Sequence, residues 1–281
     1  MNQKLLSQFI VIFLVTNLLG LLVASTFIRE NISVPIVNPD RESYENPLGL
    51  FLYILISTAV LLAVIKLLPK RTFLLFKILE GFAIFFMIPI VLWAVLSLFF
   101  KPQEFELALQ PLALLVVILR NTLPEHLLLR NIITLFLAAG IGVFIGTGIG
   151  TIPIIAFLVA MSVYDYIAVF KTKHMMTLAK AVTEKNLSFT FGMPTPEHQF
   201  ELGTGDLVIP LAFAVSVLNE YVVQLGSPHY WIAPLVILLF SFIGLVITLW
   251  QSSQKIGHAL PALPLQSVLM ILAYAGLRLF L

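Results

Sequence analysis

A chain of 281 residues that is 60% hydrophobic and 11% charged, with a mean hydropathy of +1.04, is too apolar for a soluble domain of ordinary composition. Its length suits one membrane-embedded domain over residues 1–281 and leaves no room for a separate soluble one. Zero cysteines exclude thiol nucleophiles, disulfides and iron–sulfur clusters, and a net charge of +2 gives no basic field that would point to nucleic acid.

A membrane-crossing helix needs about 20 apolar residues. Nine segments qualify, at roughly 5–28, 48–68, 73–100, 105–120, 131–149, 151–172, 203–224, 231–251 and 258–281. The expected fold is an all-α polytopic membrane protein with nine transmembrane helices. The first segment follows Lys4 and is longer than the apolar region of a signal peptide, so it reads as a span. The fourth is short and carries Pro111, and little more than Thr151 and Pro153 separates the fifth from the sixth. With the N-terminus inside, Arg29, Arg41, Lys101 and Arg278 fall outside, and the other 12 of the 16 basic residues fall on the inner side. That bias fixes a cytoplasmic N-terminus and an outer C-terminus, in a multi-pass protein of the cell membrane.

Within the third span Lys77 and Glu80 are three residues apart, a spacing that lets them pair or snorkel. The glycine-rich run 140–150 lacks the lysine of a phosphate loop. Gly142, Gly146 and Gly150 recur every four residues, the small-residue pattern that lets membrane helices approach closely. The sixth and seventh spans carry Asp165 and Asp206, two of only three aspartates in the chain. An ionisable group at membrane depth is by default a functional candidate.

Between those spans lies a loop from about 173 to 201. Its charged start through Lys185 reads as helical. Leu187 to Phe191 alternates apolar and polar residues, which gives either a short strand or a loop resting its phenylalanines on the membrane surface. None of the five histidines has metal-ligand spacing, so neither a metal nor any other cofactor is expected.

Depth follows from interfacial charges at about 1.5 Å per helical residue. Asp165 lies six residues before Lys171 and Asp206 five residues after Glu201, so both carboxyls sit roughly 7–9 Å inside the inner edge. Pro261 to Pro264 reach the same level, six residues beyond Lys255. Two close carboxyls share one proton. The ionised member can take a proton from water as the protonated one donates to a developing oxyanion, so peptide hydrolysis needs neither metal nor covalent intermediate. Asp206 opens its helix after Gly203-Thr204-Gly205, and a helix start favours negative charge, which makes it the candidate base. The two glycines are expected to let other backbone approach its carboxyl. Pro261 and Pro264 are expected to disturb the start of the last span and leave carbonyls unpaired.

Tyr164-Asp165, Gly203-Thr204-Gly205-Asp206 and Pro261-Ala262-Leu263-Pro264 resemble, in order and span placement, the Y-D, G-x-G-D and P-A-L-P motifs of the presenilin and signal peptide peptidase family. The likeness extends over the whole chain as a presenilin-like nine-span layout. Leu207-Val-Ile-Pro210 is similar to the signal-peptide-peptidase branch, while the charge bias gives the presenilin orientation. The compact chain, without cysteine and with a short interior loop, resembles an archaeal homologue. The resemblance implies an intramembrane aspartyl protease with Asp165 and Asp206 catalytic. It implies that Tyr164, Gly203, Gly205, Pro261, Ala262, Leu263 and Pro264 bind substrate or shape the site. Expected partners are transmembrane peptides or proteins as substrates and the lipid bilayer, with no obligatory subunit and homo-oligomerisation left open. The rival reading is a proton-coupled or passive ion transporter using Lys77, Glu80 and Glu220. Against it, Glu220 lies 14 residues beyond Asp206, about 21 Å along the helix.

Overall fold

The computed structural model describes residues 3–172, 187–194, 199–225, 230–253 and 261–280. Among them are nine α-helices: α1 (Gln3–Arg29), α2 (Glu45–Leu67), α3 (Pro69–Leu96), α4 (Glu106–Thr122), α5 (Leu127–Gly148), α6 (Thr151–Phe170), α7 (Gly205–Leu225), α8 (Ile232–Ser253) and α9 (Leu263–Phe280). Seven are long and apolar enough to cross a bilayer, and α4 and α9 are shorter at 17 and 18 residues. This is the all-α polytopic membrane fold the hydropathy pattern predicts. Pro111 lies inside α4 without ending it, as membrane helices allow when neighbours satisfy the freed carbonyl. The last helix starts at Leu263, later than the expected 258, and residues 254–260 lie outside the described ones.

The centre of the bundle is α7, packed on α1, α5, α6, α8 and α9. Its residues Leu211 to Val215 are inaccessible to solvent. Glycine lets α5 come this close: a Cβ at Gly142 would stand 2.7 Å from Leu211 Cδ2, and one at Gly146 would stand 2.4 Å from the Ala212 carbonyl oxygen. Gly20 of α1 meets the same Leu211 from the other side. Two of the three glycines in the predicted stripe thus do the predicted packing. Gly150 does not. The α5 helix ends at Gly148, and Gly150 caps α6 with extended backbone, its N–H donated to the Arg41 carbonyl at 2.7 Å and its Cα against the Glu42 carboxyl.

Lys77 pairs with Glu80 at 2.8 Å, as the spacing predicts. The sequence did not reveal the larger network around that pair. Arg120 of α4 is buried and donates through Nε to Glu80 at 3.0 Å and to Ser188 Oγ at 2.9 Å, while the Ser188 N–H reaches the same Glu80 at 2.8 Å. A buried carboxylate with several donors is held firmly, and losing one partner would leave charge uncompensated in a low-dielectric interior.

The alternating segment does form a strand, but later than predicted. Strand β1 is Thr190–Pro194, and it pairs antiparallel with β2, Gln199–Gly203, with Thr190 opposite Gly203 and Gly192 opposite Glu201. Leu187, Ser188 and Phe189 stay outside the strand because Ser188 is committed to Glu80 and Arg120. Phe191 is fully buried and Phe189 packs on the core between α3 and α5, so neither rests on a membrane surface. The expected helix at 173–185 lies outside the described residues. The far edge of β1 is closed by α5: Asn131 accepts from the Gly192 N–H and donates to its carbonyl, both at 2.9 Å. Arg130 of the same helix holds β2 by two bonds to Glu201, at 2.9 and 3.0 Å.

The α5–α7 contact gives a direct test. Gly146→Leu forces a side chain onto the α7 backbone, and overpacking of this kind typically costs about 1–3 kcal/mol. The expected outcome is a clearly lower thermal midpoint in detergent than that of Ile141→Ala, a change on the exposed side of the same helix.

Candidate active site

Each candidate aspartate is placed by a different local rule. Asp165 sits in the last third of α6, where Met161, Asp165 and Ala168 share the inward face while Val163, Tyr166 and Ile167 face outward. It is 9% exposed. Asp206 is in the first turn of α7, whose start is fixed by Thr204: its carbonyl accepts from the N–H groups of Leu207 and Val208 at 3.0 and 2.9 Å, and its hydroxyl donates to the Phe189 carbonyl at 3.1 Å. The sheet and the residues leading into it therefore carry the turn that presents Asp206. The helices that carry the two aspartates, α6 and α7, pack directly on each other.

The third expected element joins them, while the carbonyls its prolines were expected to leave unpaired, at positions 257 and 260, lie outside the described residues. Pro264 is the second residue of α9, a first-turn position where a missing N–H disrupts nothing. The Ala262 carbonyl is not left unpaired, since it accepts from the Gln266 N–H at 3.3 Å. What the segment offers is a donor. The Leu263 N–H points at Asp165 Oδ2 in a long bond of 3.4 Å, and Ala262 and Leu263 are buried beside it. Pro261 is half-buried at the mouth of this segment, and Tyr164 is half-buried and edge-on to Phe51 with ring centroids 6.3 Å apart.

Gly203 and Gly205 also differ from expectation. A Cβ at Gly203 would meet only Asp206 Oδ2, at 3.8 Å, and one at Gly205 would meet nothing within 4 Å among the described residues. Among the described residues, no other backbone comes within 4 Å of a Cβ placed at either glycine. The glycines keep space open beside the Asp206 carboxyl, which is what a site that must admit a peptide requires. A further apolar cavity of about 320 Å³ lies between α6 and α9, lined by Val159, Ser162, Val163, Tyr166, Pro264 and Val268.

The other membrane-depth charges have local partners. Glu80 is held by Lys77, Arg120 and Ser188, and Glu220 accepts from the Tyr274 hydroxyl and pairs with Arg278 near the opposite end of the bundle. Sequence reasoning missed three residues that support the site: Arg130, Asn131 and Gln266. The last donates through Nε2 to the Asp206 carbonyl at 3.4 Å. A signal for it existed, because Pro210 stands four residues after Asp206 and removes that carbonyl's helical donor.

Fold and site together define a polytopic helical membrane protein with two apposed aspartates on adjacent helices. The family model described as signal-peptide peptidase, presenilin aspartyl protease matches residues 10–274, and the chain belongs to that family of aspartyl proteases. It is similar in fold to two crystal structures of a presenilin family intramembrane aspartate protease. One, in space group C222, has a TM-score of 0.64 and 23% identity over 95% of this chain and 94% of its own. The other, in space group P2, has a TM-score of 0.65 and 22% identity over 95% and 96%. No match was found among curated proteins.

Open space beside Asp206 makes a prediction that separates activity from folding. Gly205→Leu is expected to leave the thermal midpoint within a few degrees of wild type while reducing peptide hydrolysis more than tenfold. An equal fall in both would mean that the glycine serves packing.

Proposed function

We propose that the protein hydrolyses peptide bonds within transmembrane segments of other membrane proteins, with Asp165 and Asp206 as a water-activating dyad. The observation that carries this reading is that the start of α9 touches both aspartates of the packed pair α6 and α7, with the Leu263 N–H directed at the Asp165 carboxyl, Gln266 at the Asp206 backbone, and open space beside the Asp206 carboxyl. Asp206, in the first turn of α7, acts as base on a water molecule. Asp165 holds the shared proton and passes it to the carbonyl oxygen as the tetrahedral intermediate forms. Asp206 then gives the proton it took from water to the leaving nitrogen, the C–N bond breaks, and Asp165 recovers a proton from one hydroxyl of the intermediate as the new carboxyl forms. The dyad titrates as a unit, and only its singly protonated form is competent.

A helical substrate hides its scissile carbonyl in an intrahelical bond, so several residues must unwind and find new partners before water can attack. The substrate is held extended beside the end of β2. In an antiparallel ladder the outward and inward backbone groups alternate. Since Asn131 takes both outward groups of Gly192, the pair Thr190–Gly203, two residues along, turns the Gly203 N–H and carbonyl away from β1 and toward the space beside Asp206. Tyr164, Gly205 and Pro261 to Pro264 line the remainder. The single domain works in the cell membrane with a cytoplasmic N-terminus and an outer C-terminus, as the basic-residue bias supports. It needs no obligatory subunit and no cofactor.

The test is cleavage of a membrane-span peptide by purified protein in detergent. Asp165→Asn and Asp206→Asn should each abolish turnover with folding intact, because asparagine keeps the shape and cannot trade a proton. Near-normal turnover by either variant ends the dyad reading. The wild-type rate should be bell-shaped in pH, and a rate that rises monotonically across the accessible range would exclude a shared proton. Gly203→Pro, which removes one donor from the proposed substrate edge, should depress cleavage strongly.

A further inference from the structure

We propose that Gln266 is a positioning residue for Asp206, supplying from α9 the hydrogen bond that Pro210 denies to the Asp206 backbone carbonyl. The inference rests on reading Asp206 as one half of the dyad. In an α-helix the carbonyl of residue i accepts from the N–H of residue i+4. For Asp206 that residue is Pro210, which lies inside α7 and has no N–H. A proline also presses its ring on the carbonyl four residues back and tilts it out of the helix. Such a carbonyl, buried in the membrane, needs a donor from elsewhere.

Gln266 fills that need. Its side chain is fully buried on α9, Nε2 faces the Asp206 oxygen at 3.4 Å, and Oε1 has no hydrogen-bond partner among the described residues. Of the amide's two ends only the nitrogen can donate to a carbonyl, so this contact sets the amide's orientation. Gly244 of α8 lets the Gln266 backbone lie against that helix, since a Cβ there would stand 3.0 Å from the Gln266 Cα. The α9 start therefore meets both aspartates: the Leu263 N–H is directed at the Asp165 carboxyl and, one turn on, Gln266 holds the Asp206 backbone. One rigid helix then sets how far apart the two carboxyls stand and how the first turn of α7 is tilted. A dyad that shares one proton depends on that separation.

The experiment compares Gln266→Leu, Pro210→Ala/Gln266→Leu and Asp206→Asn with wild type on the same membrane-span peptide, across pH and with thermal midpoints recorded. Gln266→Leu should lower kcat at least tenfold with KM within twofold, and should narrow or displace the pH profile. Restoring an N–H at position 210 gives the Asp206 carbonyl its own helical donor, so in that background the loss should shrink to under threefold. Wild-type kcat and pH profile in folded Gln266→Leu would overturn the proposal, and so would a double variant no more active than the single one. Should Gln266→Leu fail to fold, Gln266→Met in place of it makes the same comparison with an unbranched apolar side chain. Residual turnover in Asp206→Asn would instead bring down the dyad reading, and a dead Asp206→Asn beside an unaffected Gln266→Leu would bring down this inference alone.

Discussion

Inside a bilayer a polar group has no water to fall back on, so each donor, acceptor or charge that the protein leaves unmatched is costly. That cost shapes this molecule more than apolar packing does, because lipid tails are as apolar as the leucines they meet. Glu80 is surrounded by Lys77, Arg120 and the Ser188 N–H, Glu201 is gripped by Arg130, and both backbone groups of Gly192 go to one asparagine. The Ser188, Glu201 and Gly192 contacts tie α3 and α5 to the segment between α6 and α7. They convert a loop that could have wandered over the membrane surface into a small sheet fixed at the mouth of the candidate site.

Close helix packing supplies the second constraint. Gly142 and Gly146 on α5 and Gly20 on α1 remove the side chains that would hold α7 away, and Leu211 occupies the space they leave. With α7 held centrally, its first turn has one place to go, beside the inward face of α6. The two aspartates meet there because the helices that carry them are positioned by contacts far from either carboxyl. At the other end of the bundle the Arg41 guanidinium accepts no partner role at random: it donates to the Gly146 and Ile149 carbonyls, where the C-terminal end of α5 favours a cation.

Much of this was legible in the chain. Hydropathy alone marks every helix to within a few residues at most ends, since a span is a property of local composition and the bilayer sets its length. That Asp165, Asp206 and the Pro-Ala-Leu-Pro segment meet at one level followed from counting to the nearest charge, because helical rise is constant. The pairing of Lys77 with Glu80 and the packing of Gly142 and Gly146 followed from helical spacing. The position of β1 did not, because alternation describes Leu187 to Phe191 equally well, and the buried bonds of Ser188 to α3 and α4 decide where the strand begins.

What the sequence by itself determined, then, is what depends on neighbours along the chain: the helices, the common level of the two aspartates and the motifs that carry the family resemblance. The tertiary structure alone decided what depends on neighbours across it. Gly150 left the packing stripe because α5 ended two residues earlier, and the proline-flanked start of α9 proved to present a donor, since a proline in a first helical turn breaks nothing. Pro210 announced a carbonyl without a partner, but only the crossing of α9 over α7 named Gln266 as the group that answers it. Hydrogen bonds between helices join residues with no fixed spacing in sequence, and so no periodicity in the chain can encode them.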